Sequence, residues 1–295
     1  FDGQFDDSRL LIELIKTAVR NGAKAINYAE VSSLERTATG KIMGLTATDL
    51  ESKETIRIEA KVIINATGPF SDSVRELSDP TAKCLISPSR GSHIVLDRSF
   101  FPGSSALLVP HSPDGRVMFL IPWSGHLLVG TTDIEVDEAA IAPVPTEAEI
   151  ELILAGVAQY LTKPPTKKDV LSAFAGIRPL VASGNSKGSE LSRDHRIEVD
   201  SNNLLSVVGG KWTTYRQMAE DAVDKAIQVG ELDKRKCVTA TLSIHGADFT
   251  KDQQLRFPVY GSDSGKLEML IAEEPTLGTL LHESLPYTKA EIVWA

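Results

Sequence analysis

Two segments of the chain share one pattern, in which an apolar run leads through small residues into a helix. In the first, the apolar residues 62–64 precede a turn at residues 65–68; in the second, residues 204–208 precede a glycine pair at residues 209–210. The unbroken apolar run at residues 62–64 is typical of a strand that is buried on both faces of a parallel sheet. The pattern predicts an α/β layer with helices docked on a buried sheet.

Both turns are suited to hold a ligand, because open α/β sheets bind ligands at the carboxyl ends of their strands. A helix N-terminus favours a negative group, and glycines let that group approach closely. A plain structural interpretation stays open: a glycine pair can end a strand, Thr213 can cap the helix, and residues 65–68 can be a tight connection. Two such turns in one chain favour contact with one extended cofactor. The residues concerned are Ala66, Thr67, Gly68, Gly209, Gly210, Lys211, Trp212, Thr213 and Thr214.

The rest of the chain predicts further elements around this layer. A helix is expected over residues 9–22, followed by a small antiparallel meander. Residues 81–135 are mostly strand-like and predict a second, antiparallel sheet. Thr146 and Glu149 match a capping box at the start of a helix over residues 147–161.

Four basic side chains are candidates for binding or catalysis. Arg178 ends an apolar strand-like run, where a cation needs an anionic or acceptor partner. Arg193 and Lys211 come from separate segments and can converge on a phosphate or carboxylate, although a salt bridge with Asp194 would also explain Arg193. His93 leads an apolar strand; it is either a structural residue or a group that accepts a proton near neutral pH.

The composition argues against several classes of protein. A net charge of −9 gives no general reason to expect nucleic-acid binding, which relies on clustered Lys and Arg. No apolar run approaches the roughly 18 residues that a membrane span needs. Cys84 and Cys237 have neither metal-type spacing nor a disulfide framework, so we expect reduced thiols and no metal site.

A series of motifs resembles the FAD-dependent glycerol-3-phosphate dehydrogenases, most closely the mitochondrial type. The motifs are DGQFDDSRL, INATGPFSDSVREL, GSHIVL, DGRVMFLIPW, GTTD, GIRPL, SRDH and GGKWTTYRQMAEDAVD. They run from Asp2 to Asp224 in the family's order, which is a far more specific signal than a lone glycine motif.

The resemblance implies an α/β (α+β) fold, with an incomplete FAD/NAD(P)-binding Rossmann-like parallel sheet and an antiparallel substrate-binding sheet domain. Residues 1–80 would be part of the FAD-binding domain with an inserted β-meander, and residues 81–175 the antiparallel substrate-binding domain. Residues 176–228 would return to the FAD-binding domain. Residues 229–295 would be a linker and the start of a C-terminal helical domain.

The resemblance also implies a reaction, the oxidation of sn-glycerol 3-phosphate to dihydroxyacetone phosphate, with FAD as cofactor and ubiquinone as electron acceptor. The two turns would contact FAD. Arg178 would lie beside the flavin and the reacting hydroxyl, His93 would be the candidate base, and Arg193 with Lys211 would bind the substrate phosphate. Arg178 could instead polarise the hydroxyl, so the identity of the base stays open.

By the same resemblance the protein would associate peripherally with the mitochondrial inner membrane, or with the cytoplasmic membrane in a bacterium, and a homodimer is one option. Two other functions stay open. A glycerol-3-phosphate oxidase shares these motifs and passes electrons to oxygen, and a non-catalytic remnant could bind phosphorylated metabolites. Peroxide yield, quinone reduction and turnover on the full-length protein separate the three.

One departure from the family pattern concerns the FAD pyrophosphate. The family opens with a strand–GxGxxG–helix unit, and that motif does not occur in these residues. We therefore expect the chain to be part of a longer protein, and residues 1–295 alone to bind FAD poorly. Flavin absorbance after purification of residues 1–295 measures this, and stoichiometric FAD would contradict it.

Overall fold

The computed structural model describes residues 5–109, 117–182, 194–249, 254–283 and 285–295. The strands are β1 (Ala29–Arg36), β2 (Ile42–Asp49), β3 (Thr55–Glu59), β4 (Ile63–Asn65), β5 (Ile86–Asp97), β6 (Leu107–Val109), β7 (Met118–Trp123), β8 (His126–Gly130), β9 (Ile134–Glu135), β10 (Val170–Val181), β11 (His195–Val199) and β12 (Leu204–Gly209). The helices are α1 (Asp7–Arg20), α2 (Ser71–Ser78), α3 (Glu147–Val157), α4 (Tyr215–Val229), α5 (Ser264–Glu273) and α6 (Lys289–Trp294).

The chain divides into two compact units. Residues Ala29–Arg235 form the large unit, and Phe1–Tyr28 with Lys236–Ala295 form the small unit. The domain boundaries expected from the sequence follow the family pattern, and they stay a prediction beside this division. Among the described residues, no helix is both long enough and apolar enough to cross a membrane.

The first strands of the large unit form the predicted meander. β2 lies between β1 and β3 and pairs with both in antiparallel register. Ala47 on β2 is buried, and so is Ile42, which packs with Ile63 of β4 and Leu204 of β12. The meander therefore packs against the strands that precede the two small-residue turns.

The strands that precede the two turns are neighbours in a second sheet. β12 pairs with β4 in parallel register, with Leu204 opposite Ile63 and Ser206 opposite Asn65. β11 completes this sheet on the other side of β12 as an antiparallel strand. The parallel pairing that the sequence predicted is present in this pair, and α2 and α4 pack on β12.

A larger antiparallel sheet follows the order β10-β5-β8-β7-β6, with β9 also paired to β5. One of its faces is a closed core, because alternate residues of a strand point to the same face. Helix α3 covers this face through Ile153 and Val157, both fully buried. The sheet residues of the core are Ile94, Leu96, Val109, Met118, Leu120, Leu127 and Val129. The opposite face carries exposed aromatic rings, with Phe119 and Phe174 exposed by 40% and 47%.

The small unit holds a helical core built around Phe257, Tyr260, Leu267 and Ala290. Next to it, the buried His245 ring lies between carboxylates of Glu13 and Asp263, with its Nδ1 atom 2.5 Å from Glu13 and its Nε2 atom 3.4 Å from Asp263. Lys16 and Lys266 contribute positive charge to the same cluster. No local pattern predicts this cluster, since residues 13–16 lie far in the chain from residues 245–266.

Candidate functional site

The two small-residue turns lie at one edge of the second sheet. β4 and β12 run parallel as neighbours, so their carboxyl ends point the same way; β4 ends opposite Ser206, and β12 continues to Gly209. The Asn65 side chain links β4 to β12 and to the start of α2, because its amide donates to Ser206 Oγ at 3.2 Å and to the Ser71 carbonyl at 2.9 Å. Its Oδ1 atom accepts a hydrogen bond from Thr67 Oγ1 at 2.7 Å. The structure thus places both predicted turns at the same end of this sheet and holds the first one in a fixed shape.

The glycines of these turns are required by backbone geometry. Gly68, Gly209 and Gly210 have φ angles of 57°, 73° and 80°, in the left-handed region that residues with a Cβ rarely adopt. At Gly209 an added Cβ would also meet Val181 and, at 2.7 Å, the Asp194 carbonyl. The glycine pair therefore does more than end a strand: it lets β12 turn sharply beside the end of β10.

The junction after β12 is a 3-10 turn over Trp212–Thr214 that leads into α4 at Tyr215. Thr213 does not cap the helix, since the cap position is Thr214 and no side chain makes a capping hydrogen bond there. This corrects the structural interpretation of Thr213. Lys211 and Thr213 are exposed, and the first turn of a helix leaves amide groups that a ligand can bind.

The Trp212 indole is the second notable feature of this junction. Its ring packs on Tyr215 with 5.2 Å between ring centroids. Its Nε1 atom is buried and has no hydrogen-bond partner among the residues that the structure describes. A buried indole N–H normally has an acceptor, so this atom marks a place for a polar group of a ligand or of a further part of the protein.

Arg178 lies on β10, which passes both turns at its C-terminal end: β10 contacts β12 and the 3-10 turn Gly68–Phe70. The guanidinium group is half-buried and donates to the Thr132 carbonyl at 3.1 Å and to Thr131 Oγ1 at 3.0 Å. An ion pair with Asp133 at 3.4 Å balances its charge. The sequence predicted an acceptor partner for this cation, and Thr131, Thr132 and Asp133 supply it.

His93 lies on β5 beside Arg178. Its ring stacks on Phe174 of β10, with centroids 5.2 Å apart and planes inclined by 11°. Burial lowers the pKa of His93 from its ordinary 6.5 to about 4, and the charge of Arg178 acts in the same direction. The Nδ1 atom is buried and finds no hydrogen-bond partner within the described part of the chain. The imidazole is therefore neutral at pH 7, with one ring nitrogen left for an unseen partner.

These two side chains share the open face of the large sheet. The register pairs His93 with Phe174, Gly91 with Gly176, and Ser89 with Arg178. The glycine pair leaves a hollow between His93 and the Arg178 backbone, and the guanidinium folds into it: a Cβ on Gly91 would lie 2.5 Å from Arg178 Nη2. A neutral base and a fixed cation, both half-buried, thus lie side by side on this face of the sheet, which suits removal of a proton from a hydroxyl.

A buried carboxylate lies behind this face. Glu149 at the start of α3 is 3% exposed. Its Oε1 atom accepts hydrogen bonds from the Ser92 and Thr132 hydroxyls, at 2.8 and 3.1 Å, and from Arg90 Nε at 3.2 Å. Its Oε2 atom accepts from the backbone N–H and the hydroxyl of Thr146, at 2.9 and 2.8 Å, and from Arg90 Nη2 at 2.8 Å. The predicted capping box is present, and it is one part of a larger network that the sequence did not reveal.

The charge state of Glu149 follows from these contacts. Burial raises the pKa of a carboxyl group, but here the hydrogen bonds from Thr146, Arg90 and Ser92 outweigh it and bring the pKa of Glu149 to about 2. The carboxylate is therefore ionised at all ordinary pH values.

Of the predicted site residues, the structure brings together His93 and Arg178, and it places residues 66–68 and 209–214 after the same ends of the neighbouring strands β4 and β12. Arg193 lies outside the described residues. Sequence reasoning missed Thr131, Thr132 and Asp133 as partners of Arg178, although GTTD was among the motifs that carry the resemblance.

With this geometry in place, comparison with known proteins gives the class. A model of the family described as "FAD dependent oxidoreductase" matches residues 1–216. The chain belongs to this FAD-dependent oxidoreductase family, which agrees with the predicted fold class and cofactor.

Similar proteins narrow the class. The chain is 40% identical to the glycerol-3-phosphate dehydrogenase, mitochondrial, of Saccharomyces cerevisiae over 84% of this chain and 44% of the relative. It is 38% identical to a probable glycerol-3-phosphate dehydrogenase, mitochondrial, of Caenorhabditis elegans over 100% of this chain and 44% of the relative. The crystal structure of glycerol-3-phosphate dehydrogenase from Bacillus halodurans complexed with FAD superposes with a TM-score of 0.75 at 33% identity, over 94% of this chain and 52% of that one. The predicted resemblance is confirmed, and the chain spans about half the length of these proteins or less.

The residues present fit a flavin nucleotide on physical grounds. Left-handed glycines allow a close approach at the shared strand edge, and the uncapped helix start offers amide donors there. The unpartnered Trp212 Nε1 offers a further donor. Residues 66–68 and 209–214 would hold the cofactor, next to the end of β10 that carries Arg178.

Proposed function

We propose that the full-length protein oxidises sn-glycerol 3-phosphate to dihydroxyacetone phosphate with FAD as cofactor. The observation that carries this proposal is the pair of His93 on β5 and Arg178 on β10, which share one open sheet face. β10 also contacts β12 and the turn Gly68–Phe70. The names of the similar proteins supply the substrate, since each is a glycerol-3-phosphate dehydrogenase.

The residues of the chain have separate roles in the proposed reaction. FAD, held by residues 66–68 and 209–214, would supply the acceptor for the hydride that leaves the carbon bearing the secondary hydroxyl. His93 is neutral at pH 7, so it can accept the hydroxyl proton. Arg178, held by Thr131 and Thr132, stabilises the negative charge that develops on that oxygen.

Lys211 and Arg193 are proposed to bind the substrate phosphate. Lys211 is exposed at the start of the turn that leads into α4, where no ion pair holds its ammonium group among the described residues. A phosphate dianion needs such local cations in a chain whose net charge is −9.

The electron acceptor is proposed to be ubiquinone, at the mitochondrial inner membrane, with peripheral attachment. Support comes from the resemblance and from similar proteins that are named mitochondrial. The domain boundaries given above, and a homodimer as one assembly option, belong to the same proposal.

Turnover by the full-length protein tests this function. With glycerol 3-phosphate as substrate and a soluble quinone analogue as acceptor, we expect reduction of quinone and formation of dihydroxyacetone phosphate. Stoichiometric peroxide without quinone reduction would identify an oxidase instead. Binding of glycerol 3-phosphate without any turnover would favour a binding protein.

The charge state of His93 predicts the pH dependence of this reaction. A base of ordinary pKa would lose activity as the pH falls through 6.5, whereas the lowered pKa of His93 keeps it neutral to about pH 4. We expect kcat at saturating substrate to stay flat between pH 7.5 and about 5.5; kcat/KM is less suited, because it also reports the second ionisation of the free substrate phosphate, whose pKa is about 6. The measurement is kcat against pH over the range where the protein stays folded, and an acid limb of kcat near pH 6.5 would contradict His93 as the base in this environment.

A further inference from the structure

We propose that Glu149 is a positioning residue, which fixes Arg178 and His93 on the open face of the large sheet from its buried face. The inference rests on the proposed function, in which these two side chains meet the substrate. Glu149 itself contacts neither of them in the hydrogen bonds described, so it acts through Thr132 and Ser92.

Thr132 connects Glu149 to Arg178. Its carbonyl oxygen accepts a hydrogen bond from Arg178 Nη1 at 3.1 Å, and its hydroxyl donates to Glu149 Oε1 at 3.1 Å. One residue therefore joins a buried anion to a half-buried cation. Because a hydrogen bond to a charged group is shorter and stronger than a neutral one, Glu149 restricts Thr132 and with it the acceptor that orients the guanidinium.

Ser92 connects Glu149 to His93. Its hydroxyl donates to Glu149 Oε1 at 2.8 Å, and its backbone N–H donates to Thr132 Oγ1 at 2.9 Å. Successive strand residues point to opposite faces, so Ser92 points to the buried face and His93 to the open one. Any shift of β5 at Ser92 therefore moves the imidazole ring.

Burial makes this arrangement rigid. Glu149, Ser92 and Thr132 are all buried, and every hydrogen bond described among them joins buried groups. Catalysis depends on such precision, because a misplacement of about 1 Å at a reacting group can cost about a hundredfold in rate.

The test uses two substitutions of Thr132 in the full-length protein. Thr132→Val keeps the shape of the side chain and the carbonyl but removes the hydroxyl; Thr132→Ser restores the hydroxyl. We expect kcat/KM for glycerol 3-phosphate to fall about 10- to 100-fold in the valine variant, mostly through kcat, and to recover to within about twofold in the serine variant.

Thr166→Val is the matched control. Thr166 also donates its hydroxyl and its backbone N–H to a carboxylate, that of Asp169, at 2.7 Å each, in an exposed capping box away from the site. Its loss should leave kcat/KM within about twofold of the wild type. A similar fall in both valine variants would overturn the proposal, because it would show a general effect of lost capping or stability.

A second readout does not depend on turnover. Selective isotope labelling of histidine allows the His93 ring to be titrated by NMR in each variant. If the network holds Arg178 beside His93, loosening it raises the pKa of His93 in Thr132→Val but not in Thr132→Ser or Thr166→Val. An unchanged His93 titration in a folded Thr132→Val protein overturns the proposal, even where the wild type oxidises glycerol 3-phosphate.

The same titration separates this proposal from the proposed function. If the wild type does not oxidise glycerol 3-phosphate, the proposed function fails, and the shift of the His93 titration still decides whether the network of Glu149, Thr132 and Ser92 positions the pair. Should Thr132→Val not fold, Ser92→Ala removes a single hydroxyl from the network and is expected to produce the same shift in smaller measure.

Discussion

Replacing Arg178 by alanine in the full-length protein should lower kcat/KM for glycerol 3-phosphate by about 10²- to 10³-fold, the usual cost of removing one preorganised donor from a developing oxyanion. The side chain is held in place before substrate binds, because Thr131, Thr132 and Asp133 fix its guanidinium group. No reorganisation is then needed during the reaction.

Two further variants show whether the effect is specific to the Arg178 guanidinium group. Arg178→Lys keeps the charge but loses the planar fork that contacts Thr131 and Thr132 together, so we expect it to recover only a small part of the activity. Arg196→Ala removes an exposed arginine of β11 that pairs with Glu198, and it should leave activity within about twofold. The readouts are steady-state kinetics, FAD content by absorbance, and melting temperature. Unchanged turnover in Arg178→Ala would place the reacting group elsewhere.

Strand β5 of the large sheet shows which part of a strand the local sequence can predict. HIVLD is a short run rich in strand-forming apolar residues, and residues 93–97 are indeed strand. The strand begins earlier, however, at Ile86, and passes through Pro88 and Gly91, residues that disfavour strands. Pairing with β10 along its whole length, from Ile86 opposite Val181, overrides that preference, and a single segment cannot reveal such a long-range partner.

For the candidate site, too, local sequence indicated the individual residues but not how they are arranged in space. The two turns, Arg178 and His93 each carry a local signal: small residues after an apolar run, a cation at the end of a strand, or a histidine at its start. The register that places His93 and Arg178 on one face comes from pairing between β5 and β10, which lie far apart in the chain. Their proximity became visible only with the fold.

Glu149 has two structural roles, of which the sequence pattern predicts only one. The spacing of Thr146 and Glu149 predicts a capping box, and the capping box is there. The same carboxylate also binds Arg90, Ser92 and Thr132, which no spacing rule connects to it. A capping glutamate on a surface helix and one buried behind a site look alike in the sequence.

Replacing Glu149 by alanine should destabilise the protein by about 3–5 kcal/mol, the usual cost of removing one partner of a buried ion pair. The loss leaves the Arg90 charge without its anion and the Thr146 backbone N–H and the Ser92 and Thr132 hydroxyls without their acceptor. In a unit of this size such a loss lowers the melting temperature by about 10 °C. Asp169→Ala is the matched control, because Asp169 is the acceptor of the exposed capping box and should cost much less.

The pH dependence of stability distinguishes the charge of Glu149 from its bulk. The pKa of Glu149 lies near 2 in the folded protein and at 4.5 for the free side chain. A lowered folded pKa means that its contribution is complete above pH 4.5 and is lost as the pH falls from 4.5 towards 2. Glu149→Gln keeps the shape but removes this titration, so the difference in melting temperature between wild type and variant should be constant from pH 7 to 5 and shrink below pH 4.5. A difference that stays constant down to pH 3 would show that the ionised carboxylate contributes nothing that the neutral amide lacks.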